Sequence, residues 1–221
     1  MTIRGIIFDF GGVFSPQHES LAGFTAAAKR FGRSEQELYD LLYSGEEWRL
    51  ARTGRLRAEE YWRRMMGLLG LQPDGDVQSF LAELFSGEAI DPQVVRIATL
   101  LGQRYPLALL SNALDDLEIL LVEKYRLRHL FAAVINSAAV GVAKPDPQAY
   151  ELALQALGLS PSEALFIDDK QRNVQAALTL GIPSIRYTTP QALTAELLAR
   201  CLLDEQEIAS LGDSNGVQAL G

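Results

Sequence analysis

Four short polar segments, widely separated along the chain, carry residue types that are used for chemistry on anionic ligands. They are Asp9 in GIIFDFGG, Ser111 and Asn112 in LLSNA, Lys144 in GVAKPDP, and Asp168 and Asp169 in LFIDDK. Carboxylates gathered at one point repel each other, and a hard cation such as Mg²⁺ is the natural relief. Mg²⁺ often keeps a phosphate among its oxygen ligands, and a carboxylate can attack phosphorus.

The other members of the set suit the same chemistry. The hydroxyl of Ser111 and nearby backbone N–H groups can donate to phosphate oxygens, and the ammonium group of Lys144 can neutralise charge. Each segment alone has an ordinary explanation, since a single Asp after a strand is commonly a helix cap and an SN pair commonly forms a turn. The four segments together, in this order, indicate a ligand site.

Apolar runs next to these segments predict the strands of a buried sheet, because continuous runs are typical of strands covered on both faces. The predicted strands are residues 3–8, 106–110, 164–167 and 183–187, with a weaker one at 132–136. Helical periodicity occupies residues 92–104, 115–124, 147–157 and 173–180. The alternation predicts an α/β fold with a doubly wound parallel sheet, in which residues at the carboxyl ends of the strands meet at one site.

The strand pattern is absent from residues 16–86, where the sequence predicts helices instead. The helices at 20–31, 34–44, 46–53, 58–69 and 76–85 are joined by short connections, which favours a compact bundle. We therefore expect an α/β core domain of residues 1–15 and 87–221, and an all-helical domain of residues 16–86 inserted after the first strand.

Composition disfavours several partners and locations. With 28 acidic and 20 basic residues, the chain of 221 residues has a net charge of −8, which disfavours binding to nucleic acid or anionic lipid. No apolar run is long enough for a signal peptide or a membrane span, so a cytoplasmic location is expected. The single cysteine, Cys201, excludes an internal disulfide, and its helical surroundings predict a small buried core residue.

In the identity and order of the four segments, the sequence resembles the haloacid dehalogenase (HAD) superfamily, whose members are mostly Mg²⁺-dependent phosphohydrolases. The resemblance runs from Asp9 to Asn173, and the strand and helix pattern extends it over nearly the whole chain. The helical insertion looks like the family's cap domain, in the position of the small-cap subclass C1. The resemblance implies a HAD-type, Rossmann-like core and a phosphatase for a small phosphorylated metabolite that works through an aspartyl-phosphate.

The resemblance also implies a Mg²⁺ site. Asp9 would be both the catalytic nucleophile and a ligand of the ion, and Gly11 would supply a backbone carbonyl. Asp169 is expected to ligate Mg²⁺ directly, and Asp168 either directly or through a bound water.

On the phosphoryl side, Ser111 and Asn112 would help to bind the phosphoryl group. Lys144 would be catalytic and substrate-binding, since it would stabilise that group and Asp9. Asn173, a turn into the next helix, would steady the acidic loop. The expected partner is a small-molecule phosphate ester.

One position departs from the family pattern. Most phosphatases of the family carry a second Asp two residues after the nucleophile, which protonates the leaving oxygen and then activates water, whereas this chain carries Gly11. Such an acid/base typically contributes about 10²–10⁴-fold. We therefore expect substrates with good leaving groups, such as sugar 1-phosphates; the motif is similar to that of bacterial glucose-1-phosphate phosphatases of the family, which also carry Gly there.

Three alternatives stay open at this point. The acid/base could come from the cap, with His18 as one candidate, or from a bound water. The chain could be a catalytically weak binding or regulatory protein. A haloacid dehalogenase is the least favoured, because attack on carbon needs no cation and therefore no pair of carboxylates at Asp168 and Asp169.

In the insertion, the segment EEWRLARTGRLRAEEYW is rich in arginine and aromatic residues. Arg49, Arg52 and Arg55 either face a sugar hydroxyl or a second anionic group of the substrate, or form a solvated helix face, and the sequence favours the solvated face. The aromatic residues of this segment are predicted to pack inside the helical domain.

Overall fold

A parallel sheet of five strands lies at the centre of the computed structural model, which describes residues 2–17, 21–72 and 75–212. The strands are β1 (Gly5–Phe8), β2 (Leu107–Ser111), β3 (Ala133–Asn136), β4 (Ala164–Asp168) and β5 (Ser184–Arg186). Their spatial order is β3-β2-β1-β4-β5. Every residue of β1, β2 and β4 is buried, as the continuous apolar runs predict. The predicted parallel α/β sheet is confirmed.

Within the described residues, five helices follow β1 and precede α6 (Pro92–Gly102), the helix that leads into β2. They are α1 (Ala22–Arg30), α2 (Glu35–Tyr43), α3 (Glu46–Ala51), α4 (Ala58–Leu68) and α5 (Val77–Leu84). Their buried side chains form a separate hydrophobic cluster, in which Tyr61 and Trp62 are buried and Trp48 packs against them. The aromatic residues thus pack inside, as predicted. The exact domain bounds, 1–15 with 87–221 and 16–86, and the small-cap subclass stay predictions.

The remaining helices cover both faces of the sheet. They are α6 (Pro92–Gly102), α7 (Leu117–Ile119), α8 (Ser137–Val140), α9 (Pro147–Leu157), α10 (Gln171–Thr179), α11 (Pro190–Ala199) and α12 (Glu205–Gly212). Side chains of α6 and α11 share a hydrophobic cluster with one face of the sheet, and those of α9 and α10 share another with the opposite face. This two-sided cover is the doubly wound arrangement. No helix of the described residues is long and apolar enough to cross a membrane.

Two local predictions differ from the structure. The helix predicted at 115–124 is α-helical only over α7 and then continues as a π-helical stretch, Leu120–Lys124, in which the N–H of Tyr125 donates to the carbonyl of Leu120 over 2.8 Å. The prediction that Cys201 is buried is wrong, because it is exposed. Cys201 has a φ of +56° just after α11, and this turn directs the next residues, Leu202 and Leu203, into the core instead.

Candidate active site

The predicted site residues lie at the carboxyl edge of the three middle strands. Asp9 directly follows β1, and Ser111 and Asp168 are the last residues of β2 and β4, which flank β1. All are buried, as is Asp169. Carboxylate oxygens of the three aspartates lie within 4.8 Å of one another. Parallel strands point their carboxyl ends the same way, which is why residues about 160 positions apart meet here.

A buried lysine connects two of these carboxylates. Lys144 is 1% exposed, and its Nζ lies 2.8 Å from Asp9 Oδ1 and 2.7 Å from Asp168 Oδ2. Buried charges are held in this way because an ion that lacks a partner in the interior is destabilising. The ammonium group of Lys144 therefore partly balances the charges of Asp9 and Asp168.

Asn112 positions this lysine through its backbone. The side-chain oxygen of Asn112 accepts from the N–H of Lys144 and its amide nitrogen donates to the carbonyl of Lys144, each over 2.9 Å. Both ends of the Asn112 side chain are therefore engaged. A contact between Asn112 and a phosphoryl group, as predicted from the sequence, would fall to its backbone N–H, and the phosphoryl contact of Ser111 likewise stays a prediction.

Asp168 is the most fully bonded of the three aspartates. Besides Lys144, its carboxylate accepts from the N–H of Lys170 over 2.8 Å and from the side-chain nitrogen of Asn173 over 2.9 and 3.1 Å. The hydroxyl of Tyr150 in turn donates to the carbonyl of Asn173 over 2.9 Å. These bonds tie the acidic loop to α9 and α10, so Asp168 is rigidly placed.

Asp169 is bonded on one side only. Its Oδ2 accepts from Gln17 Nε2 over 3.0 Å, but its Oδ1 is buried and has no hydrogen-bond partner among the described residues. Burial raises the pKa of Asp169, Lys170 and Gln17 lower it, and Asp168 raises it further, with a net upward shift. A buried oxygen without a donor, next to two other carboxylates, fits the ligand preference of a hard cation.

The two carboxylate oxygens of Asp9 differ in their hydrogen bonds. Oδ1 accepts from the N–H of Phe10 over 2.7 Å and from Lys144, whereas no donor to Oδ2 is found in the described part of the chain. Burial raises the pKa of Asp9 to about 7; Lys144 lowers it, and the neighbouring aspartates raise it. A cation beside Asp9 would favour its charged form, which is the form that can attack.

The two glycines after Asp9 have different surroundings. A Cβ added at Gly11 would meet no atom within 4 Å. A Cβ added at Gly12, which has a φ of +81°, would lie 2.4 Å from Asp169 Oδ2. Gly12 is therefore required by the fold of the site, whereas the space beside Gly11 is open. The role of the Gly11 carbonyl as a metal ligand stays a prediction.

Sequence reasoning missed three side chains near the site. Besides Gln17, these are Tyr39 of α2 and Lys170, whose Nζ lies 3.5 Å from the Tyr39 hydroxyl. Burial lowers the pKa of Lys170, but Tyr39, Asp9 and Asp169 raise it by more. Lys170 directly follows the acidic pair in the sequence, and only this adjacency could have identified it as a residue near the site. His18, proposed above as an acid/base, lies outside the described residues.

A family comparison decides where this chain belongs. The model of the haloacid dehalogenase-like hydrolase family matches residues 3–181. The protein is a HAD-like hydrolase. This HAD-like hydrolase is 32% identical over 213 residues to (S)-2-haloacid dehalogenase of Xanthobacter autotrophicus, covering 91% of this chain and 80% of that enzyme. It is 26% identical over 214 residues to phosphoglycolate phosphatase of Escherichia coli O157:H7, covering 84% of this chain and 81% of the other.

Other similarities are shorter or weaker in sequence. The HAD-like hydrolase is 43% identical to acyl-CoA dehydrogenase family member 10 of Mus musculus over only 72 residues, so the chain spans 7% of that protein. A HAD family enzyme from Bacteroides thetaiotaomicron, solved in complex with magnesium and inorganic phosphate, has a TM-score of 0.69 and 22% identity, covering 84% of this chain and 94% of that one. At this identity the structural match shows the fold. The relatives include phosphatases and a dehalogenase, so membership of the family does not identify the reaction.

Proposed function

We propose that this HAD-like hydrolase is a Mg²⁺-dependent phosphohydrolase that cleaves a small phosphorylated metabolite, with a good leaving group such as that of a sugar 1-phosphate. The observation that carries the proposal is the cluster of three buried carboxylates in which Asp169 keeps an unpaired oxygen. The ammonium groups of Lys144 and the nearby Lys170 do not balance three carboxylates, and Mg²⁺ would supply the missing positive charge. The phosphatase relative and the magnesium in a solved neighbour support the same choice.

The hydrogen bonds of the aspartates indicate which of them would hold the ion. Asp169 offers an oxygen that has no donor among the described residues, and we assign it as a direct ligand together with the carbonyl of Gly11. Asp9 would be a direct ligand through Oδ1, which leaves its donor-free Oδ2 for attack. Asp168 is bonded to Lys144, Lys170 and Asn173, so we assign it to positioning and to a contact through a metal-bound water. When bound, Mg²⁺ would neutralise charge on the phosphoryl oxygens and on the carboxylates.

The chain's own residues would then act in two steps. Lys144 and the N–H of Phe10 hold Asp9 Oδ1, so that Oδ2 can attack phosphorus; a P–O bond forms to Asp9, and the bond to the leaving oxygen breaks with its electron pair. Ser111 and Lys144 stabilise the transferring group. Water then attacks the phosphorus of the aspartyl-phosphate, which releases inorganic phosphate and restores Asp9. Because Gly11 offers no side-chain acid, the leaving oxygen must tolerate negative charge.

A dehalogenase is the second candidate, because the relative with 32% identity is a (S)-2-haloacid dehalogenase. Attack of Asp9 on a carbon atom that bears a halogen would need no cation. Three buried carboxylates carry more negative charge than Lys144 and Lys170 neutralise, so the cluster favours a bound cation and phosphoryl transfer. A binding protein with little turnover would keep the same metal site.

A panel of phosphate esters, assayed with Mg²⁺ and with EDTA, tests the proposal. We expect turnover of sugar 1-phosphates and acyl phosphates with Mg²⁺, little turnover in EDTA, and no turnover of 2-chloropropionate. Hydrolysis that ignores EDTA would contradict the proposal, and EDTA-resistant halide release would establish the dehalogenase instead. If no ester is cleaved while Mg²⁺ still raises the melting temperature, the chain is a binding protein.

Substitutions at the two adjacent glycines should have opposite effects. Gly11→Asp places a carboxylate in open space at the position of the acid/base. Turnover of alkyl phosphates, whose alkoxide leaving groups need protonation, should therefore rise by about 10²-fold. Turnover of aryl phosphates, whose aryl oxide leaves without protonation, should change by less than about threefold. Gly12→Asp, as the matched control, should abolish activity because its side chain collides with Asp169. Equal effects of Gly11→Asp on both ester types, measured as kcat/KM, would contradict the assignment of Gly11.

A further inference from the structure

Phe10, the residue after Asp9, connects the loop that carries Asp9 to the hydrophobic core. Gly11 and Gly12 have no side chains, so the packing of this loop depends on Phe10 and on the turn that follows it. The Phe10 side chain is buried in the core, and its N–H donates to Asp9 Oδ1 over 2.7 Å. Its carbonyl accepts from the N–H of Phe14 over 2.9 Å, which closes the turn. A shift of Phe10 would therefore move the Asp9 carboxylate.

Two aromatic rings contact Phe10 from different parts of the chain. The ring of Phe14, from the same turn, is stacked on it with a centroid distance of 6.0 Å. The ring of Tyr125, directly after the π-helical stretch Leu120–Lys124, has its centroid 5.1 Å from that of Phe10. Rings at such distances attract each other through their faces and edges, in addition to the apolar area that they bury. Through Tyr125, a distant element of the core therefore reaches the loop of Asp9.

The ring of Tyr125 is itself held from two sides. Its hydroxyl donates to Glu88 Oε2 over 3.0 Å, and the side chain of Glu88 is only 7% exposed. Lys124 Nζ lies 2.6 Å from the same oxygen and 4.8 Å from the centre of the Tyr125 ring. The π-helical turn that carries Lys124 has one residue more than an α-helical turn, and such turns are frequent at functional sites. The ring that packs on Phe10 thus has a fixed position.

Glu88 lies in the segment that returns the chain from the helical insertion to the sheet, between α5 and α6. In the same segment, the N–H of Asp91 donates to the carbonyl of Phe14 over 2.8 Å. The turn after Asp9 and the returning segment are therefore bonded to each other, and Tyr125 contacts both of them.

We propose that Tyr125 is a positioning residue for Asp9, which it holds in place through Phe10. The Tyr125 ring fixes the Phe10 ring, and the Phe10 N–H fixes Asp9 Oδ1. Tyr125 acts from behind the site, through the core. The effect on the rate of hydrolysis rests on the proposed phosphohydrolase function, whereas the effect on the position of Phe10 does not.

Steady-state kinetics on a sugar 1-phosphate at saturating Mg²⁺ measures the effect on the rate. Tyr125→Leu should lower kcat by about 10–100-fold and leave KM within about threefold, because a misplaced nucleophile slows the chemical step more than it weakens binding. Tyr125→Phe keeps a ring against Phe10, and Lys124 stays paired with Glu88, so kcat should fall by less than about threefold.

Tyr105→Leu is the matched control. Tyr105 and Tyr125 are both partly buried against the same hydrophobic cluster, and each has the cationic group of the preceding residue over its ring. Tyr105 precedes β2 and therefore lies at the amino edge of the parallel sheet, opposite Asp9. Tyr105→Leu should lower the melting temperature but leave kcat within about threefold of wild type. Equal losses of kcat in Tyr105→Leu and Tyr125→Leu would overturn the proposal.

Phe10→Leu removes the same ring contact from the other side, and it tests the proposal even if Tyr125→Leu fails to fold. It should lower kcat about as much as Tyr125→Leu does. Where both single variants fold, the double variant should lose no more than about threefold beyond either of them, because the two rings act as one unit. Losses of kcat that multiply in the double variant would contradict an action of Tyr125 through Phe10.

Amide hydrogen exchange, followed by NMR without any substrate, separates this proposal from the proposed function. In Tyr125→Leu, the Phe10 N–H should exchange at least about tenfold faster relative to the Ile6 N–H, which donates to the carbonyl of Pro106 at the other end of β1. This result would support the positioning role even if the wild-type protein hydrolyses no ester. Equal acceleration at Phe10 and Ile6 would show a general loss of stability and overturn the proposal, and so would unchanged exchange at Phe10, even in an active phosphohydrolase.

Discussion

Asp9→Asn is expected to lower kcat for every hydrolysed phosphate ester by at least about 10⁴-fold, because the amide cannot act as the nucleophile. Asn has nearly the same shape, and its oxygen can still accept from Phe10 and Lys144, so the loss reflects chemistry rather than misfolding. Single-turnover assays with Mg²⁺ measure the effect. Asp76→Asn is the control, since Asp76 caps α5 on the surface and Asn caps helices equally well. Residual activity within about tenfold of wild type would rule out Asp9 as nucleophile.

The same variant should be more stable than the wild type when no metal is present. Burial holds the pKa of Asp9 at about 7, above its ordinary value of 3.8, so its ionisation in the folded state opposes folding. This destabilisation begins above about pH 4 and is complete above about pH 7. In EDTA at pH 8, urea denaturation of Asp9→Asn should give a free energy of unfolding higher than that of wild type, by up to about 4 kcal/mol. The gain should disappear below about pH 4, where the carboxyl group is protonated in both states.

Lys144→Met is expected to lower the free energy of unfolding by about 3–5 kcal/mol, because it leaves two buried carboxylates without their cation. Activity should fall by about 10³-fold or more, since Lys144 contacts Asp9 and, in the proposed reaction, would stabilise the phosphoryl group. Urea denaturation at neutral pH measures the stability. Arg63→Met breaks an ion pair with Glu59 whose side chains are 49% and 72% exposed, and it should cost less than about 1 kcal/mol.

Added metal gives a second measurement on the Lys144 variant. With the ammonium group gone, Mg²⁺ becomes the main source of positive charge among the three carboxylates. Saturating Mg²⁺ should therefore raise the melting temperature of Lys144→Met more than that of the wild type. Equal stability of Lys144→Met and Arg63→Met would show that Lys144 is not a buried structural cation.

The sheet and the position of the site could be predicted because both depend on short-range patterns. Continuous apolar runs mark buried parallel strands, and the topology of such a sheet brings their carboxyl ends together whatever lies between them. Asp9, Ser111 and Asp168 could thus be placed at one edge without knowledge of any contact. Helix starts follow local patterns too, since Asp91 and Asp146 each cap a helix directly before a Pro.

The finer arrangement depends on contacts between distant residues, which a linear pattern does not encode. Nothing in the sequence distinguishes Arg52, which is half-buried with a buried Nε, from Arg49, which is exposed as the prediction of a solvated helix face requires. The engagement of Asn112 with the backbone of Lys144 likewise joins residues 32 positions apart. The wrong prediction for Cys201 has a similar cause, since a single residue in a left-handed conformation decided which side chain faces the core.

The open space beside Gly11 has an evolutionary consequence. A single base change converts a GGT or GGC glycine codon into an aspartate codon, and the Cβ of the new side chain would meet no atom within 4 Å. Retention of glycine at this position would therefore reflect selection on the reaction rather than on folding. Gly12, one residue later, has no such freedom, so the two neighbouring positions should tolerate random mutation very differently in a library selected only for folding.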